Sequence, residues 1–291
     1  MIILENQILP SQHLFFKQEF LSKKSLPYTS FVTEEGQQII FFEYQDAFIS
    51  GYAATYGGFY PVTPKESLRK ILPSIIETAK SKKLTKIIVK LPPTFLLSSS
   101  DELSDWESFS FNIINREVNQ YISIGKHSLI DIVHEQERRK LKKQPDFVLE
   151  LNSSKVNRSQ RWDLLVAARK DKNYPVTITQ EALEDLNNKL ESHYTFIDCI
   201  KDDTLIAFAI AVQMSDEVFY YYLPATLPEY QYLSPSVYII NAIYELAKSK
   251  KCIYLDLGIS SEKGILNEGL FQFKKNMGAK SSESITLQLS L

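Results

Sequence analysis

Glu77-Thr-Ala-Lys-Ser-Lys-Lys83 returns 168 positions later as Glu245-Leu-Ala-Lys-Ser-Lys-Lys251. A repeat of so long a period predicts two copies of one folding unit. The flanking pattern repeats as well. Before the first segment, Tyr28–Val32, Gln38–Tyr44 and Phe48–Tyr56 are β-rich runs. The polar turns Glu34-Glu35-Gly36 and Gln45-Asp46 part them, which reads as an antiparallel meander. Leu68, Ile71, Leu72, Ile75, Ile76 and Ala79 then keep a helical stripe behind an N-cap signal at Thr63-Pro64-Lys65-Glu66. Pro73 lies inside that stripe and is expected to kink the helix. A short buried strand, Ile87–Leu91, follows.

The second copy runs in the same order. Its strands are Tyr194–Ile200, Leu205–Met214 and Val218–Leu223. A helix opened by Ser234-Pro235-Ser236 carries the stripe Ile239, Ile240, Ile243, Leu246 and Ala247, and the strand Ile253–Leu257 comes next. Each copy closes with a short helix and a strand: Asp101–Phe109 and Asn112–Ile124 in the first, Glu268–Met277 and Ser284–Leu289 in the second. A short helix over residues 12–23 precedes the first copy. Further helices are expected between the copies, a charged one over Leu129–Lys143, then Ser159–Lys170 and Gln180–Ser192. The fold class is therefore α+β, with domains expected at residues 1–144 and 145–291.

Composition bounds what such a chain can do. With 44% hydrophobic residues, 17 Phe and 16 Tyr, it is a folded globular protein. A net charge of -2 gives no global field toward nucleic acid or membrane, so any basic surface is local. No stretch approaches the roughly 20 apolar residues of a membrane span, and the N-terminal residues lack the basic region of a signal peptide. A cytoplasmic location is the expectation. Cys199 and Cys252 read as small buried hydrophobes, and His13, His127, His134 and His193 are scattered without metal-ligand spacing. No metal is expected.

The order of elements resembles the GNAT acyltransferase fold. Two such units in tandem are similar to the Fem-type aminoacyltransferases and related bacterial double-GNAT proteins. The resemblance is carried by Ser234-Pro235, by Leu255-Asp256-Leu257-Gly258 at the end of a strand, and by Gly269-Leu270-Phe271-Gln272-Phe273-Lys274. It implies an acyl or aminoacyl donor, acyl-CoA or aminoacyl-tRNA, bound as substrate with no tightly held cofactor, and an amine acceptor. It also implies that Phe273 and Lys274 lie in the active cleft, with Lys274 stabilising charge during transfer. The sequence departs from the GNAT pattern where coenzyme A is bound. Residues 223–228, Leu-Pro-Ala-Thr-Leu-Pro, hold no glycine, and Gly57-Gly58 in the first copy reads as a strand end or turn rather than a phosphate loop. That departure fits an aminoacyl-tRNA user, and equally a protein that has lost donor binding.

The repeat supplies a register for weighing these residues. At the offset of 168, Lys274 matches Trp106 and Asp256 matches Ile88, so the second copy is the place to look for chemistry. Lys274 is either a cation at a developing oxyanion or a solvated lysine on an amphipathic helix. Asp256 shares a strand face with Tyr254 and is either a base toward an amine or a cap and partner for Lys274. Tyr222, within Tyr220-Tyr221-Tyr222, Tyr254, Ser234, Ser236 and Phe273 are the nearby candidates for substrate contact. Arg138 and Arg139 head the one dense basic cluster, which suits a phosphate or tRNA donor, or else a solvated helix. The sequence thus leaves two functions open: direct acyl transfer to an amine, and a non-catalytic binding or scaffold role on a decayed GNAT fold.

Overall fold

A computed structural model describes residues 2–22, 25–61, 65–97, 101–189 and 191–291. The N-cap signal at Thr63-Pro64 lies outside the described residues. The chain divides into two compact units, each drawn from separate stretches of sequence. The first comprises Met1–Asn119, Ile259–Asn267 and Ser281–Leu291, the second Gln120–Gly258 and Glu268–Lys280. The expected boundary at 144/145 falls inside the second unit.

In the first unit β1 (Ile2–Glu5), β2 (Tyr28–Val32), β3 (Gln38–Tyr44) and β4 (Ala47–Ser50) form an antiparallel meander. The short β5 (Phe59–Tyr60) adds to β3. The expected helix over 12–23 is broken by the extended Lys17 into a 3-10 turn, Leu14–Phe16, and α1 (Gln18–Leu21). After the meander, α2 (Lys65–Ser81) runs through Pro73 as one element and leads to β6 (Lys86–Lys90), which is parallel to β4. Ile71, Ile75 and Ala79 of α2 are buried with Phe41, Phe48, Ile87 and Val89 in one core, completed by Trp106 of α3 (Asp101–Glu107).

The third expected strand stops at Ser50 instead of Tyr56, and the cause is local. Gly51 takes φ +85°, and the chain returns so closely that a Cβ on Gly57 would fall 2.3 Å from the Gly51 nitrogen. Gly57 N–H then donates to the Lys90 carbonyl at 2.8 Å, and Gly58 N–H to Ser50 Oγ at 3.0 Å. Residues 51–58 thereby fill the gap where β4 and β6 part.

The second unit repeats the order. A pair of helices, α4 (Leu129–Ile132) and α5 (Glu135–Leu141), replaces the single helix expected over 129–143. The break is at His134, whose extended backbone donates to the Asn276 carbonyl at 2.7 Å while its imidazole caps the Gln136 N–H. An edge strand that the sequence reading lacked, β8 (Val148–Leu151), precedes α6 (Arg158–Asp171) and α7 (Gln180–Lys189). Then β9 (Tyr194–Lys201), β10 (Thr204–Gln213) and β11 (Val218–Thr226) run antiparallel, with β8 outside β9. Helix α8 (Pro235–Ser249) crosses to β12 (Tyr254–Ile259), parallel to β11. Ile239, Ile240 and Ile243 of α8 are buried with Phe219, Tyr221, Leu255 and Leu257 in the core of this unit.

The two closing strands are exchanged relative to the sequence expectation. β7 (Asn112–Ser123) ends within the second unit, beside β12, where Ile124 N–H donates to Ile253 O at 2.8 Å. A hairpin of β13 (Ser261–Glu262) and β14 (Ile265–Leu266) precedes α9 (Glu268–Asn276). β15 (Lys280–Ser290) then pairs antiparallel with β6, placing Ile285 and Leu287 in the first core.

The repeated heptapeptide ends both crossover helices with the same cap. Leu84 N–H donates to Ala79 O and Lys83 N–H to Lys80 O; Cys252 does the same to Ala247 and Lys251 to Lys248. Lys83 and Lys251 adopt φ 58° and 62°. This pairing of a six-to-one and a five-to-two bond is a Schellman motif, here built with lysine at the left-handed position. Ser81 and Ser249 also donate to Thr78 O and Leu246 O.

Candidate functional site

The side chains of interest in the second unit converge where β11 and β12 part. Their register runs Val218–Tyr254, Phe219–Leu255 and Tyr220–Asp256. Beyond that last pair β11 continues to Thr226, with Leu223 at φ 53°, and has no partner in β12. Alternation sends Phe219, Tyr221, Leu255 and Leu257 into the core against α8 and leaves Tyr220, Tyr222, Tyr254 and Asp256 on the other face. The three consecutive tyrosines therefore do different work: Tyr221 is core, its hydroxyl bonded to Ser236, while Tyr220 and Tyr222 lie on the opposite face of the sheet.

Lys274 comes to this face from α9. It is 3% exposed, and its Nζ donates to the Gly258 carbonyl oxygen at 2.9 Å. Burial pulls the ammonium down to about 7, and the charge of Asp256 partly offsets this. The reading of Lys274 as a solvated lysine is thus set aside by its position. Asp256 is 2% exposed, and its Oδ1 accepts the Gly258 N–H at 2.8 Å. That carboxylate closes an Asx-type turn. The turn holds Gly258 at φ +74° and aims its carbonyl at Lys274. A Cβ on Gly258 would lie 3.0 Å from the Tyr220 hydroxyl. Burial and the Asp256 charge raise the Tyr220 hydroxyl well above the usual tyrosine range, so it stays a neutral donor.

The other candidates lie apart in function. Phe273 packs against the core, one residue from Lys274 on a different side of α9. Tyr254 is half-buried and meets Tyr121 edge-on at 5.6 Å. Ser234 sits at the start of α8 with φ 55° and makes no side-chain cap bond. Arg138 is occupied internally: its guanidinium donates to the carbonyls of Ile130, Asp131 and Val133 at the end of α4 and to Glu135. Arg139 is exposed and paired with Glu135 at 3.1 Å. In the first unit the register partner of Lys274, Trp106, is 1% exposed in the core.

Gly258 was visible in the sequence only as part of a motif; its role as the hinge between Asp256 and Lys274 depends on a positive φ that no pattern announces. Arg169 on α6, whose charge acts on Tyr222, was missed. Its signal was its place two helical turns after Arg161 on one stripe.

Comparison with known proteins accords with this geometry. Residues 133–275 match the model of an acetyltransferase (GNAT) domain. The match runs from just after α4 into α9, a little under half of the chain, and the matched residues include Tyr220, Asp256, Gly258 and Lys274. At the general level the match supports acyl transfer. Among solved structures, FemX aligns with a TM-score of 0.68 at 14% identity, covering 91% of this chain and 87% of that one. The C-terminal domain (DUF2156) of a putative lysylphosphatidylglycerol synthetase from Agrobacterium fabrum aligns at 0.57 and 12% identity, over 89% and 82%. A tandem GNAT protein from the clavulanic acid biosynthesis pathway aligns at 0.56 and 8% identity, over 91% and 83%. At these identities the likeness is one of fold. No curated protein matches the chain.

Among the described residues no helix is long and apolar enough to cross a membrane, and no group of three His, Cys, Asp or Glu side chains could hold a metal ion. Cys199 and Cys252 are both buried, and burial pushes the Cys252 thiol up to about 11.

Proposed function

We propose that the second unit transfers an acyl or aminoacyl group directly to an amine, with Lys274 as the cation at the reacting carbonyl. The observation that carries this reading is a buried lysine held to the Gly258 carbonyl at the point where two parallel strands part. A buried ammonium in a water-poor cleft stabilises a developing oxyanion far more than a solvated one. The acceptor nitrogen attacks the acyl carbonyl, the amide bond forms, and the thioester or ester bond to the donor breaks. Direct attack by the amine is the simplest course.

Asp256 is assigned first an orienting role. Its hydrogen bond to Gly258 N–H fixes the turn that places Lys274, and its charge keeps part of the Lys274 population protonated near neutrality. Removal of the acceptor proton by the same carboxylate is compatible with that position. The donor is acyl-CoA or aminoacyl-tRNA. The lack of glycine in residues 223–228 favours the second of these. The same lack supports the alternative reading, a binding or scaffold protein without catalysis.

Thermal stability of the full chain with coenzyme A, acetyl-CoA and aminoacyl-tRNA separates the two, because a ligand that binds only the folded state stabilises it. A shift with one of them, followed by transfer from it to an amine, is expected. No shift with any would leave the scaffold reading.

A further inference from the structure

Of the three arginines of helix α6, Arg161 and Arg169 are treated differently. Arg161 is buried and bound bidentately by Asp198, Nε to Oδ1 at 2.9 Å and Nη2 to Oδ2 at 2.6 Å, with its guanidinium 4.4 Å from the Phe196 ring. Two turns on, past the buried Leu165, stands Arg169. It is half-buried, its guanidinium is 6.0 Å from the Tyr174 ring, and among the described residues no carboxylate pairs with it. Half-buried arginines without an anionic partner are costly, because desolvation is not offset.

The sheet beneath α6 explains where Arg169 points. Strand register sets Tyr194, Val212, Tyr220 and Asp256 in one row across β9, β10, β11 and β12. The next row is Phe196, Ile210 and Tyr222. Arg161 covers the Phe196 end of that row. α6 packs across β10 and β11, and the eight residues from Arg161 to Arg169 carry the helix about 12 Å from the Phe196 end of that row toward Tyr222. The Arg169 charge favours the ionised form of Tyr222, while burial keeps the phenol neutral. Tyr220 and Tyr222 are 6.0 Å apart, and among the described residues neither hydroxyl has a side-chain partner. A neutral phenol and an unpaired guanidinium thus stand one row from the Asp256–Gly258–Lys274 turn.

We propose that Arg169, with the Tyr222 hydroxyl, binds a carboxylate of the amine acceptor, so that acceptors are amino acids or peptides in preference to simple amines. A guanidinium fork matches a carboxylate in two parallel hydrogen bonds, and a neutral phenol supplies a third donor. Arg161 and Asp198 show the same pairing made internally at the other end of the helix. The inference rests on the acyl-transfer reading only for the direction in which the acceptor's amine points.

The test is the melting temperature of the full chain with free amino acids and short glycine peptides, each paired with its methyl ester, for wild type, Arg169→Gln, Arg169→Lys and Lys274→Ala. At least one free acid is expected to stabilise wild type while its ester does not. That ligand's affinity should fall roughly ten- to hundredfold in Arg169→Gln, less in Arg169→Lys, and be kept in Lys274→Ala. Equal shifts from acid and ester, an undiminished shift in Arg169→Gln, or no shift from any probe would overturn the proposal. A shift from inorganic phosphate alone, lost in Arg169→Gln, would also overturn it and assign a phosphate. Carboxylate-dependent binding without transfer would instead sink the acyl-transfer reading and leave Arg169 standing.

Discussion

Lys274 Nζ donates to the Gly258 carbonyl at 2.9 Å, while the N–H of the same glycine is held by the Asp256 carboxylate at 2.8 Å. Through one peptide turn, Asp256 therefore helps to set the position of Lys274.

Gly258→Ala tests the turn. At φ +74° an alanine is strained by about 1–2 kcal/mol, and its Cβ would also press on the Tyr220 hydroxyl. Denaturant unfolding should show that loss or more. Ligand-free stability equal to wild type would mean that the turn relaxes without cost.

Asp256→Asn and Asp256→Ala divide the two roles of the carboxylate. Asparagine keeps an oxygen for the Gly258 N–H but loses the charge; alanine loses both. The alanine variant should be the less stable by about 1 kcal/mol, the net worth of a hydrogen bond. Both variants should titrate Lys274 lower than wild type, because the Asp256 charge raises it. A nitrogen-detected NMR titration of Lys274 reads this directly, and an unchanged midpoint would disprove the coupling.

The pH dependence of stability has a definite sign. Lys274 falls from 10.5 in the unfolded chain to about 7 in the folded one. Across that window the unfolded chain binds the extra proton, so wild-type stability rises with pH from about 7 toward 10.5. The cost of the buried charge is fully present below the window. Lys274→Met should be more stable relative to wild type at about pH 6 than at about pH 10, as measured by urea unfolding at both. A pH-independent difference would show that Lys274 is not depressed.

Much of this fold was legible because both copies state it in apolar periodicity. The meander strands Tyr28–Val32 and Gln38–Tyr44 and the stripe through Ile239 and Ile243 were readable from spacing alone. What the sequence concealed was long-range. Nothing local to β15 says that its Ile285 and Leu287 belong to the first core. Nothing near Ser50 predicts that Gly51 and Gly57 touch and end the strand. At the site, Asp256 and Lys274 were marked by register against Ile88 and Trp106, yet the glycine joining them required a backbone angle. The basic run from Arg138 looked like an anion surface because composition does not show where a guanidinium ends.

Arg138→Ala addresses that run. Three carbonyls at the end of α4 lose their donor, so the substitution should destabilise the fold by roughly 1–3 kcal/mol. Arg139→Ala should cost little, since its pairing with Glu135 is exposed. If instead both lower aminoacyl-tRNA affinity with stability unchanged, the cluster is a donor surface after all.

The central claim concerns Lys274 during transfer, and single-turnover transfer by Lys274→Ala tests it most directly. The donor should be the one that stabilises wild type, with the folded state checked by circular dichroism. A loss of roughly a hundred- to a thousandfold in the transfer rate, with donor binding retained, is the predicted result. A rate equal to wild type would contradict it and remove Lys274 from the chemistry.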